Sequence, residues 1–207
     1  MAELTDSLNQ LLEGHADQIS QRIDADEGQT RQAIQSAVPA LLAALSADAE
    51  RGDGLKQAIA QDHDGSIIDQ LAEYLDGSAQ LNPRTTNGSG ILDHALGDRQ
   101  EPMAQALSAK SGLDMSTIMR LLPLLAPIVM GMLGKRGKSS GGGGGTGGFS
   151  FDDIGDLLNR EKQDARSKNP DIGDILDSFG KGSGAGSKSG GGIGDVLGGL
   201  FGDRGDR

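Results

Sequence analysis

Ile118-Met119-Arg120-Leu121-Leu122-Pro123-Leu124-Leu125-Ala126-Pro127-Ile128-Val129-Met130-Gly131-Met132-Leu133 is apolar on nearly every side of a helical wheel, Arg120 excepted. A helix hydrophobic all round belongs at the centre of a bundle or in a membrane. The most hydrophobic part, Leu121 to Leu133, falls short of the ~20 residues that a membrane span needs, and Pro123 and Pro127 lie within it. The expectation is a buried central helix over 115–133. Pro123 and Pro127 each remove a backbone hydrogen bond and are expected to kink it.

Working outward, the same pattern recurs 84 residues earlier. Pro39 and Leu41 fall on Pro123 and Leu125, and Ile34 falls on Ile118. Gln21, Ala25 and Gly28 fall on Gln105, Ala109 and Gly112; Leu8 and Leu12 fall on Leu92 and Leu96. A proline inside a helical pattern, preceded by a glycine in register, reads as an internal duplication. The first copy predicts helices over 3–13, 16–23 and 29–50. In the last of these Ile34, Val38, Leu41, Leu42 and Leu45 form one apolar face. The second copy predicts helices over 90–96, 101–110 and 115–133. Gly28 and Gly112 follow short helices and fit C-terminal cap positions.

Between the copies, a helix is predicted over 55–61, and Ile67, Ile68, Leu71 and Leu75 form another helical stripe. Leu81 to Gly90, with Asn82-Pro83 and Asn87-Gly88, reads as a loop. No stretch sustains the alternation of a strand. The fold class is therefore all-α, a bundle of about seven helices.

Asp64-Gly65-Ser66-Ile67-Ile68-Asp69 and Gly90-Ile91-Leu92-Asp93-His94-Ala95-Leu96-Gly97 resemble segments of the YidB-like bacterial proteins. So do Ser111-Gly112-Leu113-Asp114, Leu122-Pro123 and Ala126-Pro127-Ile128-Val129-Met130-Gly131. That family is a domain of unknown function. The resemblance covers most of residues 1–134 and implies a small helical bacterial protein, with no activity attached.

Composition divides the chain after Gly134. Residues 1–134 carry 19 acidic and 8 basic side chains, whereas 135–207 carry 11 of each. The first part holds 12 glycines and the second 22. The reading is an acidic folded domain, 1–134, and a disordered Gly/Ser-rich tail, 135–207, too poor in apolar residues to offset its ordering entropy. An acidic domain repels phosphate backbones, so no nucleic-acid partner is expected. Lys135, Arg136 and Lys138 are read as a cationic helix C-terminus. The chain has no cysteine, which excludes disulfides, Cys-ligated zinc and iron–sulfur clusters and suits a reducing cytoplasm. Met1-Ala2-Glu3-Leu4 lacks the basic and apolar regions of a signal peptide, so a cytoplasmic location is expected.

Asp62-His63-Asp64 is the cluster most like a site: two carboxylates flank an imidazole. Adjacent helical positions diverge, so the plainer reading ends a helix at His63 and has Asp64 or Ser66 cap the next. His94, beside Asp93, would join His63 only if the fold brings them together, and His15 lies in a turn. An enzyme is an alternative, metal-dependent or acid–base, using His63 and His94 with Asp62, Asp64 or Asp93. No nucleophile elbow is present, and Gly141 to Gly145 lacks the lysine and hydroxyl of a phosphate loop. No cofactor is implied, and an enzyme is not the favoured class.

All four phenylalanines lie in the tail: Phe149, Phe151, Phe179 and Phe201. Three of them accompany a motif that occurs three times, Ile154-Gly155-Asp156-Leu157-Leu158, Ile172-Gly173-Asp174-Ile175-Leu176 and Ile193-Gly194-Asp195-Val196-Leu197. With Phe151, with Phe179, and with Leu200 and Phe201, each becomes a short one-faced helical pattern. Such segments are too short to persist alone and fold on binding, apolar face into a groove. Three on one tether act together by avidity. The sequence thus points to a non-catalytic interaction or assembly protein. Its tail would dock on its own domain, on another copy or on a foreign protein partner. Peripheral membrane association through the tail is a further alternative, against which the lack of a basic face counts.

Overall fold

Residues 4–141, 156, 158–160 and 163 of the computed structural model are described here. Residues 4–141 form nine α-helices and a 3₁₀ turn, and among the described residues there is no strand. In order they are α1 (Leu4–Glu13), α2 (Ala16–Ile23), α3 (Glu27–Ala49), α4 (Gly54–Asp62) and α5 (Ser66–Asp69). Then come α6 (Leu71–Asp76), α7 (Gly88–Ala95), the 3₁₀ turn Gly97–Arg99, α8 (Gln100–Ser111) and α9 (Met115–Gly141). The single stripe expected over 67–75 is two helices, because Gln70 leaves helical geometry at φ −117°, ψ 33°.

The short helices attach through simple stripes. Leu4, Leu8 and Leu12 of α1 are fully buried, as is Ile19 of α2, with Ile23 nearly so. α1, α2, α4, α7 and α8 all pack on α3, while α2, α4, α5, α7 and α8 pack on α9. The order α1-α2-α3 is repeated by α7-α8-α9, and α1 lies on α3 as α7 lies on α9.

α9 is the central helix that its composition demands: Ile118, Leu121, Leu125, Ile128 and Val129 are all inaccessible to solvent. Asp114 caps it, accepting from the Thr117 amide at 3.0 Å and the Thr117 hydroxyl at 2.7 Å. It runs beyond 133, through the expected domain boundary at Gly134, to Gly141. There Lys135 pairs with Asp69, and Arg136 donates to the Ser7 hydroxyl at 3.1 Å. By length and composition Met115–Gly137 is long and apolar enough to cross a membrane, which the 121–133 stretch alone was not expected to be; 78% of its apolar window is buried within the fold.

α3 departs from expectation. Its large apolar residues form one face, yet every residue from Ser36 to Ser46 is buried. The other faces are lined by Ala37, Ala40, Ala43 and Ala44, which let neighbouring helices approach. α3 is therefore a second central helix. Gly112 takes the left-handed C-cap position after α8, as expected, at φ +76°. Gly28 does not. It sits in the first turn of α3, and Asp24, at φ +55°, ends α2 instead. Asp tolerates that region because its short side chain bonds locally.

Both long helices continue through their prolines. Pro127 has no N–H, so the Pro123 carbonyl loses its helical donor. The backbone of Gly88 comes against that carbonyl: a Cβ there would lie 1.7 Å from the Pro123 oxygen. Gly134 repeats the device, with a virtual Cβ 1.7 Å from the His63 oxygen. That contact fixes the turn between α4 and α5 directly on α9.

Candidate functional site

The C-terminal half of α3, α4 with its following turn, α7 and α9 enclose a cavity of about 410 Å³. Leu45 and Asp48 of α3, Leu55, Ala58 and Asp62 of α4, His63, Arg84, Ile91 and His94 of α7, and Met130 of α9 line it. Its wall is mainly aliphatic, with charged groups set into it.

His63 ends α4, its amide donating to the Ile59 carbonyl at 3.2 Å. The side chain is 3% exposed, and Nδ1 has no hydrogen-bond partner among the described residues. Burial pushes the imidazole pKa below its ordinary value, and the neighbouring Asp62 and Asp64 charges oppose this without reversing it. The ring is therefore neutral near pH 7, with one nitrogen a donor and the other an acceptor. Asp62 is held through its backbone, whose carbonyl accepts from the buried Thr85 hydroxyl at 2.7 Å. Its carboxylate lies 4.0 Å from Arg84, a side chain 75% exposed.

His94 is exposed, with Nε2 3.5 Å from the Asp48 carboxylate. Asp48 is nearly buried, and Arg51 stands 3.7 Å from it. Arg99 feels the same charge, while its guanidinium donates to the Ala95 and Leu96 carbonyls at the end of α7.

Of the residues singled out in the sequence, His63, His94 and Asp62 thus share one cavity. Asp64 does not line it. Its carboxylate accepts from the Ser66 amide at 3.0 Å across a local turn, while the N-cap of α5 is Gly65 rather than the expected Asp64 or Ser66. Asp93 accepts from Gln100 at 2.7 Å on the surface, and His15 Nδ1 lies 2.9 Å from the Leu11 carbonyl. Among the described residues, no three His, Asp or Glu side chains gather closely enough to hold a metal ion. Asp48 went unnoticed in the sequence, although a signal was there. It continues the row Val38, Leu41, Leu45 at the next helical step, where an apolar residue would fit.

The tail meets the domain at a different place. Asp156, Leu158, Asn159, Arg160 and Gln163 are helical, and Leu158 is fully buried in the core. The Ser46 hydroxyl of α3 donates to Asn159 Oδ1 at 3.1 Å. Leu158 belongs to the first Ile-Gly-Asp motif. The remaining motif residues, Phe151, Ile154, Leu157, Ile172, Ile175, Leu176, Phe179, Ile193, Val196, Leu197, Leu200 and Phe201, lie outside the described residues.

Comparison with curated proteins and with solved structures returned no match. Residues 6–136, spanning α1 to most of α9 and every residue that lines the cavity, match the family described as "Bacterial protein of unknown function (DUF937)". That match covers well over half of the chain, and with it the chain belongs to this bacterial family.

Proposed function

We propose that the protein is a non-catalytic interaction module of the bacterial cytoplasm, whose helical domain seats an Ile-Gly-Asp-aliphatic-Leu motif of the tail. The observation that carries this reading is Leu158, the last residue of the first motif, buried in the core beside the Ser46–Asn159 hydrogen bond. Burying a leucine side chain is worth about 1.5–3 kcal/mol, enough to hold a short helix against its domain but not irreversibly. A seat of this strength opens and recloses, so the same surface alternates between its own motif and those of a partner. The two later motifs preserve the residue equivalent to Leu158 as Leu176 and Leu197. We further propose that α1–α3 and α7–α9 descend from one duplicated unit, in keeping with their matching order and the shared positions of Pro39 and Pro123.

The test compares the full chain with one lacking 149–207, by light scattering and by partner capture from the source lysate. Loss of bound partners or of higher mass is expected on deletion; identical partners and identical mass would end the proposal.

A second reading, an acid–base or metal-dependent enzyme at His63 and His94, draws on their common cavity. Calorimetric titration with zinc and manganese decides its metal form. A stoichiometric heat lost on His63→Leu favours it, and a featureless titration removes it.

A further inference from the structure

We propose that the cavity between α3, α4, α7 and α9 takes a small neutral molecule with a hydroxyl on an aliphatic body, the hydroxyl donating to the Asp48 carboxylate and accepting from His94 Nε2. The body lies over Leu45, Leu55, Ala58, Ile91 and Met130.

Asp48 is a buried charge whose acceptor sites stand open. Its side chain is 7% exposed, whereas Asp62, the other carboxylate on this wall, is 23% exposed and reached by water. An ionised carboxylate offers about four acceptor sites. Burying one is costly unless it is both paired and hydrogen-bonded. Asp48 is paired: Arg51 stands at 3.7 Å and His94 Nε2 at 3.5 Å. Both contacts are longer than the roughly 2.7–3.2 Å of an N–H···O hydrogen bond. Among the described residues the Asp48 carboxylate accepts no hydrogen bond.

Two distances put that carboxylate at the cavity wall. His94 Nε2 lies 3.5 Å from Asp48 Oδ2 and 3.5 Å from the place a Cβ on Gly54 would take. Gly54, Asp48 and His94 all line the cavity, so the ring nitrogen and the carboxylate oxygen meet at one end of it.

The surroundings of the carboxylate select the head group. Arg51 is beside it and Arg99 feels its charge, so a ligand cation would meet two guanidinium groups. A ligand anion would meet Asp48 itself, with Asp62 on the same wall. A hydroxyl brings no charge, makes a charge-assisted bond to the carboxylate, and keeps lone pairs for the Nε2 hydrogen of His94. The cavity sets the body. Its volume of about 410 Å³ falls within the range of small-molecule sites, roughly 300–1,000 Å³. Water against an aliphatic wall is poorly held, and replacing it with an alkyl chain gains affinity.

The experiment titrates the full-length protein near neutral pH with hexanol, hexyl methyl ether, hexylamine and hexanoate. Calorimetry reads the heat, and NMR follows the His94 ring and the Met130 methyl group. Hexanol is expected to saturate and to move both sets of signals. The ether accepts but cannot donate, so it should bind about tenfold more weakly or less. Hexylamine and hexanoate should also fall below hexanol, and pentanol should be about fourfold weaker for its missing methylene. Asp48→Asn is expected to bring hexanol down to the level of the ether, and Ala58→Leu, which fills the cavity, to abolish its response. The ether comparison uses the parent chain, so it decides the matter even where Asp48→Asn does not fold. No saturable response to hexanol, ether or hexylamine binding as tightly as hexanol, or undiminished hexanol binding in folded Asp48→Asn or Ala58→Leu would each overturn the proposal.

Discussion

α3 and α9 are both long, both threaded by proline and both buried on nearly every side, yet their neighbours reach them by different means. α3 makes room with its own alanines, Ala33, Ala37, Ala40, Ala43 and Ala44, all of them buried. α9 keeps large residues around most of its girth and is approached through glycines, by Gly88 from outside and at its own Gly134. Alanine is the best helix former and leaves a methyl group to pack. Glycine weakens a helix, and at Gly88 and Gly134 it is needed because one backbone touches another. The two kinds of small residue therefore mark two kinds of contact, and their tolerance of added atoms should differ.

The largest effect is expected at the backbone contacts. Gly88→Ala and Gly134→Ala would each force a Cβ to within 1.7 Å of a carbonyl oxygen, which no side-chain rotation relieves. Each is expected to cost more than about 3 kcal/mol in chemical denaturation, at or beyond the upper end of ordinary overpacking. Gly54→Ala is the control, since its Cβ would meet only the His94 side chain at 3.5 Å. It should stay within about 0.5 kcal/mol of the parent. If the three variants melt alike, the distinction between the helices collapses.

A smaller effect is expected on α3. Ala40→Leu adds volume to a fully buried position, where a methyl group is already accommodated. Overpacking of that kind costs about 1–3 kcal/mol. A loss as severe as that of Gly88→Ala would show that α3 too is held by rigid contact. Smaller again is the cap: Asp26 accepts from the Gln29 amide at 2.9 Å to start α3. Asp26→Ala should lower stability by about 1 kcal/mol, read from the same denaturation curves. A neutral result would mean that packing alone fixes where α3 begins.

The contrast between the helices also marks what the sequence could disclose. α9 was legible because leucine, isoleucine, valine and methionine on all sides leave no polar face to explain away. α3 was half legible: its large residues spell one stripe, whereas alanine carries too little apolar weight to announce that the other faces are buried. The meeting of Gly88 with Pro123 was not legible, since it depends on which loop lies over a carbonyl freed by Pro127. The site was legible in part. His63 and Asp62 stood out by composition and His94 by its motif, but no spacing rule joins residues 63 and 94; only the packing of α4 and α7 on common neighbours does. Asp48 was visible as a carboxylate in an apolar row. Leu158 was legible as the apolar end of a repeated motif, and its seat on the domain was not.

The smallest expected effect concerns His63, where the two regimes meet: its carbonyl touches Gly134 of α9, and the residue borders the cavity that Asp48 of α3 also borders. Burial holds its pKa below the ordinary 6.5, so the unfolded chain takes up the proton first as pH falls. The buried neutral ring is therefore harmless above the ordinary value. Stability is then lost as pH drops from the unfolded pKa towards the lower folded one, and below the folded pKa the loss is complete. His63→Leu keeps an apolar group of similar size and removes both the titration and the unpartnered nitrogen. Its melting temperature, compared with that of the parent across pH 7.5 to 5.5, should gain on the parent steadily as pH falls through about 6.5. A constant offset at every pH would mean that the folded protein accommodates the protonated ring, for instance by admitting water to the cavity. The contact at Gly134 would then hold the His63 backbone without holding its side chain, and the α9 mode of packing would end at the carbonyl.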